Sequence, residues 1–209
     1  MFAKSIKHLQ KDSVLKLIIK ACKKEVELRF NSIEEQKDVY LILVKSIVSQ
    51  QLSSKAATTI YNRFEALFNN TYPNPEDVLK LNIESIRSVG LSGQKSAYIK
   101  ALADYALAHD MSYEHISSLS NEELIGQLTS IKGVGQWTVE MMLIFSLKRL
   151  DVFPYDDLVV RNQMIKLYGL QSKGKQLKQD CFFIAQKWKP YGSIASLFLW
   201  QSKHVVGLN

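Results

Sequence analysis

Apolar residues recur at three- and four-residue spacing along most of the chain, and strand-like alternation is scarce. Asp12 is placed to cap a helix whose buried set is Val14, Leu15, Leu17, Ile18, Ile19 and Ala21. Residues 34–49 continue with Val39, Leu41, Ile42, Leu43, Ile47 and Val48, rich enough in apolar positions for a central helix. Ser53 or Ser54 opens another, with Ala56, Ala57, Ile60, Phe64 and Leu67 on its inner face. NNTYPNPEDV at 69–78 reads as a loop in which Pro75 starts a helix, and SVGLSG at 88–93 as a turn before a long helix over 95–109. Further helices are expected over 122–128, 136–148, 160–167, 181–188 and 193–200, with tight turns at 132–135 and a loop at 172–176. The pattern predicts an all-α fold. No shift in composition marks a linker, so residues 1–209 are read as one unit.

Composition narrows this picture in three ways. With 46% hydrophobic and 22% charged residues, the chain is globular rather than disordered. Its formal net charge of +7 suits an anionic partner, nucleic acid before acidic membrane. Cys22 and Cys181 are its two cysteines, too few for a disulfide framework or a four-thiolate cluster. No apolar run approaches the roughly 20 residues that span a bilayer. These readings predict a reduced intracellular protein without a membrane segment, cytoplasmic or nucleoid-associated.

LTSIKGVGQWTVEMMLIF carries the most chemistry. Gly133 and Gly135 flank Val134 between two helices. Glycine is needed in such a turn for positive φ or for close approach of another group to the backbone. Val134 can plug the gap between the helices, and the N–H groups that open the second helix suit a phosphate, with Lys132 adding charge. A plain helix–turn–helix corner can also carry Gly-x-Gly. Neither a dinucleotide fingerprint nor a P-loop is present.

Five ordered segments make the reading specific: IVSQQLSSKAATTIYNRF at 47–64, SVGLSGQKSAYIKALA at 88–103, LTSIKGVGQWTVEMML, VFPYDDLVVR and WKPYGSIASLFLW at 188–200. Together they resemble the DNA-3-methyladenine glycosylase II family, within the helix–hairpin–helix superfamily of DNA glycosylases. The resemblance runs from about residue 39 to about 201, with the hairpin motif at about 122–148. It implies an all-helical fold with two lobes around a cleft. Some relatives carry an extra N-terminal β-rich domain, and this chain starts almost directly at the helical core. The implied activity is excision of alkylated purines, 3-methyladenine and 7-methylguanine among them, from double-stranded DNA by base flipping.

Asp156 and Asp157 follow Pro154 and precede an apolar helix. A carboxylate at a helix N-terminus is favoured in its ionised form, and an ionised carboxylate suits an oxocarbenium-like transition state. A simple N-cap is the competing reading. The resemblance places the family's catalytic aspartate on Asp157, immediately before Leu158-Val159-Val160. Relatives that also cut the sugar–phosphate backbone carry a lysine two residues after the last hairpin glycine, and here that residue is Trp137. An indole cannot form a Schiff base, so the monofunctional branch is implied, with water as nucleophile and an abasic site as product. Trp137 can instead stack on a cationic alkylated purine. Trp188 and Tyr191 are further candidates for the base pocket.

Opening a duplex needs a residue to fill the gap left by the flipped base. The resemblance maps this role to Gln50, Gln51, Leu52 and Ser53. Backbone contacts are expected from Lys132, Gly133, Val134, Gly135 and Gln136, with Lys95 after the SVGLSG turn and Arg161 supporting Asp157. No cofactor and no catalytic metal is implied; a monovalent cation on the hairpin carbonyls is compatible with the family. The expected partner is double-stranded DNA carrying alkylated bases, bound by a monomer. The alternatives are a non-catalytic DNA-binding module and a glycosylase for deaminated bases.

Overall fold

Short polar turns separate the helices, most of which open with a side-chain N-cap, and the computed structural model describes residues 1–205. Thirteen α-helices and one short 3₁₀ turn, Gln186–Trp188, make up the secondary structure, and no strand occurs among the described residues. The chain packs as two compact units, Gln36–Met142 and Met1–Glu35 together with the described residues from Leu143 on.

The unit Gln36–Met142 is continuous in sequence. Its central helix, α3 (Val39–Ser49), buries Val39, Tyr40, Leu43, Val44, Ile47 and Val48. Asp38 caps it by accepting from Leu41 N–H at 2.8 Å, so residues 34–38 are not helical as expected. The helix begins where a side chain satisfies an end amide rather than where the acidic run begins. Against α3 pack α4 (Ser54–Ala66) and α7 (Gly93–Ala108), and α5 (Pro75–Lys80) and α6 (Ile83–Arg87) pack on α7. α8 (Tyr113–Ser118) precedes α9 (Asn121–Leu128), which opens with a reciprocal capping box between Ser120 and Glu123. α10 (Gln136–Phe145) completes the hairpin.

The other unit is built on α13 (Gly192–Ser202). Every residue from Gly192 to Leu199 is buried, which a helix apolar on all sides requires. It packs on α2 (Ser13–Ser32) and α11 (Leu158–Leu167), and α1 (Phe2–Leu9) packs on α2. α12 is Gly174–Ala185, so the helix expected over 181–188 starts earlier, at the glycine of the expected loop. Ser193 ties the segment before the catalytic candidate onto α13. Its Oγ donates to the Arg149 carbonyl (2.6 Å) and accepts from Val152 N–H (3.0 Å), and its own N–H donates to the Leu150 carbonyl (2.8 Å). A Cβ on Gly192 would sit 3.1 Å from the Val152 carbonyl, so the smallest residue lets this segment lie close.

Among the described residues no helix is long and apolar enough to cross a membrane. Cys22 and Cys181 are free and buried.

Candidate active site and DNA-binding elements

Asp157 is the N-cap of α11. One carboxylate oxygen, Oδ1, accepts from Val159 N–H (3.0 Å), Val160 N–H (2.9 Å) and the Trp200 indole Nε1–H (2.9 Å). The residue is 9% exposed, whereas its neighbour Asp156 is exposed. The capping and the chemical readings are therefore compatible, because the cap is what fixes the carboxylate. Three donors thus converge on one oxygen at the helix N-terminus. Trp200 is held in turn against Phe145, with ring centroids 5.5 Å apart, and Arg29 lies 5.7 Å over its ring. Arg161, expected to support the carboxylate, is turned to a neighbouring ring. Its guanidinium lies over the Tyr155 ring at 5.7 Å.

In the hairpin, Val134 is buried and its N–H donates to the Ile131 carbonyl at 3.0 Å. That amide therefore closes the turn and is not offered to a phosphate. Gly133 has φ +94°, and a Cβ there would overlap the Tyr98 ring, coming within 2.7 Å of that residue's Cβ. Gly135 differs: a Cβ would meet nothing within 4 Å. Its carbonyl accepts the first helical bond of α10, from Val139 N–H at 3.2 Å. Lys132, Gly135 and Gln136 are exposed, and the Gln136 amide donates to Glu140 Oε1 at 2.8 Å. The Ile131 carbonyl accepts from Val134 N–H and the Gly133 carbonyl from Gln50 Nε2 (2.9 Å). No group of three or more His, Cys, Asp or Glu side chains stands together as a metal site among the described residues.

The stretch expected to fill the gap divides into two kinds of residue. Gln50 is partly buried and turned to the hairpin, where its amide bonds the Gly133 carbonyl, so it braces the turn and is not a wedge. Ser53 caps α4, its Oγ accepting from Ala56 N–H at 3.4 Å, and is likewise not a wedge. Gln51 and Leu52 are exposed, Leu52 by 37%. Lys95 is not a free phosphate ligand either. Its ammonium donates to the carbonyls of Val48 (2.8 Å) and Gln50 (2.5 Å), and burial lowers its pKa.

The aromatic candidates also separate. Trp137, the second residue of α10, is 47% exposed and is not core packing. Trp188 is fully buried in the split unit, edge-on to Phe153 at 5.5 Å, with its Nε1–H donating to Asp12 Oδ2 at 3.2 Å. With no surface to offer a base, it is a core residue rather than a pocket wall. Tyr191 is partly buried at the N-cap of α13, with its ring edge-on to His8 at 5.5 Å.

Residues 44–190 match the model of the HhH-GPD superfamily base excision DNA repair protein. The chain belongs to this superfamily. Within it, the chain falls in the monofunctional DNA-3-methyladenine glycosylase II family. It is 40% identical over 179 residues to DNA-3-methyladenine glycosylase 1 of Schizosaccharomyces pombe, a match covering 83% of this chain and 76% of the relative. The solved structure of the Schizosaccharomyces pombe 3-methyladenine DNA glycosylase in complex with abasic DNA superposes with a TM-score of 0.74 at 34% identity, covering 97% of this chain and 98% of that one. A DNA-3-methyladenine glycosidase structure from Bacillus halodurans gives 0.71 at 31% identity, over 92% and 90% of the two chains.

The HhH-GPD match spans the Gln50 turn, Lys95, the hairpin and Asp157, and ends before Trp200. The bond from Trp200 to Asp157 is hidden in the sequence, because a tryptophan closing an apolar helix reads as core. Its partner lies 43 positions upstream, which no local spacing reveals. The bracing roles of Gln50 and Lys95 were missed for the same reason.

Proposed function

We propose that this protein hydrolyses the N-glycosidic bond of alkylated purines in double-stranded DNA, as the first step of base-excision repair. The observation that carries the chemistry is the Asp157 carboxylate, fixed through Oδ1 by two backbone amides and one indole. In an N3- or N7-alkylated purine the base is cationic and leaves as a neutral molecule, taking the C1′–N electron pair. The deoxyribose then carries oxocarbenium charge, which a fixed carboxylate stabilises without reorganising. Water adds to C1′ and gives up a proton, and the product is free base plus an abasic site. Residue 137 is tryptophan, so no amine stands there to form a Schiff base and the backbone is left uncut.

Each unit supports this reading through its own residues. In the continuous unit, Lys132 and the backbone at Gly135 and Gln136 bind the DNA backbone, and a monovalent cation on the hairpin carbonyls would bridge to phosphate without entering the chemistry. Gln51 and Leu52 fill the gap, and the exposed Trp137 ring stacks on the cationic base. The split unit brings Asp157, with Tyr191 as a further base contact. The protein acts as a monomer inside the cell, in the cytoplasm or on the nucleoid, where its DNA substrate is.

Single-turnover release of base from methylated duplex DNA tests the reading. Wild type should release 3-methyladenine and leave strands intact until alkali is added. Asp157→Asn, which keeps the cap oxygen but not the charge, should lose about a hundredfold or more in rate. Salt-sensitive binding with no base released from methylated DNA would overturn it, and deaminated substrates would then separate the remaining glycosylase reading from a pure DNA-binding module.

A further inference from the structure

The exposed turn at the end of α3 is shaped from two sides. Its first residue, Gln50, is braced through its side chain to the Gly133 carbonyl of the hairpin (2.9 Å) and through its own carbonyl to Lys95 (2.5 Å). Lys95 also takes the Val48 carbonyl (2.8 Å), one of those that a helix end leaves without an intrahelical partner. A cation at this end complements the helix dipole. The next residue, Gln51, has φ +58°, a left-handed conformation that side-chain-bearing residues adopt at a cost. Such a backbone persists when its surroundings over-determine it. Ordinary helix ends are closed locally, whereas this one recruits an ammonium from α7, 45 and 47 positions away.

We propose that Lys95 is a positioning residue for DNA interrogation, holding the Gln50–Leu52 turn in its inserting shape before DNA arrives. The inference rests on the reading of Gln51 and Leu52 as the gap-filling residues. A loose turn would have to be ordered upon entering the duplex, and that ordering opposes binding. A turn already clamped by two carbonyl bonds and one amide bond enters without it. The clamp serves duplexes with a gap to fill and is indifferent to intact DNA, which distinguishes it from a phosphate contact.

The test compares affinity for a duplex holding a tetrahydrofuran abasic analogue with affinity for the intact duplex, at one fixed salt concentration. 2-Aminopurine opposite the analogue reports insertion. Lys95→Met should weaken abasic binding about tenfold, change intact-duplex binding about threefold at most, and reduce the 2-aminopurine response. Lys95→Arg, which keeps the charge and the donors, should recover much of the abasic preference. Gln50→Met, which cuts the brace to Gly133, should repeat the loss and serves if Lys95→Met folds poorly. Equal weakening on both duplexes would make Lys95 a phosphate ligand and overturn the proposal. So would a wild-type preference in Lys95→Met beside a lost preference in Leu52→Ala. If Gln51→Ala and Leu52→Ala both keep the preference, the gap-filling reading itself fails and takes the proposal with it, while base release by wild type still stands.

Discussion

Two glycines two positions apart, Gly133 and Gly135, should respond to alanine in opposite ways. Gly133→Ala meets two separate penalties. At φ +94° an L-residue loses about 1–2 kcal/mol. The new methyl also overlaps the Tyr98 ring, which is partly buried and accepts a hydrogen bond from Gln94 (2.5 Å), so the ring must shift to make room. Overpacking of this kind costs about 1–3 kcal/mol, for a total of roughly 2–5 kcal/mol. Gly135→Ala has neither penalty: no atom lies within 4 Å of its added methyl and its φ is not positive. The cost there should stay within about 1 kcal/mol, that of alanine just before a helix. Urea denaturation of both variants measures the difference. Binding to abasic duplex should reverse the order of effects among folded molecules, because the open space at Gly135 is where a DNA backbone can approach. We expect Gly135→Ala to lose about tenfold in affinity at near wild-type stability. Gly133→Ala within 1 kcal/mol of wild type, or Gly135→Ala binding as wild type, would refute the assignment of one glycine to folding and the other to DNA.

Four other outcomes are expected. Trp200→Phe keeps the ring beside Phe145 but removes the indole donor to Asp157, and should slow single-turnover excision about 10- to 100-fold with abasic binding unchanged. Trp137→Ala should reduce excision of cationic bases by a cation–π increment of about 0.5–2 kcal/mol and leave intact-duplex binding unaltered. Asp12→Ala removes a cap with two amide bonds and leaves the buried Trp188 indole without its acceptor, so it should cost about 2–4 kcal/mol by urea denaturation at unchanged excision per folded molecule. Burial, and secondarily Glu25, raises the Cys22 pKa to about 11, and burial raises that of Cys181, so both stay thiols at pH 8 and neither should react with a disulfide reagent until the chain unfolds.

What the sequence revealed and what it hid follow from the distance over which each feature is set. Asp12, Ser53 and Asp157 cap helices through amides two or three residues ahead, so the pattern exposes them. α8 is six residues long and α6 five, too short for periodicity to rise above the surrounding loops. The early onset expected for α3 failed because Asp38, not Glu34, satisfies the first amides. Within the candidate site, Asp157 and the glycine hairpin were legible because a local geometry requires them. Lys95 and Trp188 were misread because each side chain's partner is remote: Val48 and Gln50 for Lys95, Asp12 for Trp188. A lysine beside a helix start looks the same whether its partner is a phosphate or a carbonyl, and a tryptophan two residues before a proline looks the same inside or outside.

The split of one unit across the chain bears on how the protein is made. Leu15, Ile18 and Ile19 of α2 leave the ribosome well before α13, the helix that α2 packs against. At typical elongation rates this apolar surface waits roughly 8–30 seconds for its partner. The continuous unit needs only residues 36–142 and can close during that interval. The vulnerable species in the cell is thus a nascent chain whose continuous unit is finished while α2 is still uncovered, and slow translation between α10 and α13 would extend its exposure to aggregation and chaperone capture.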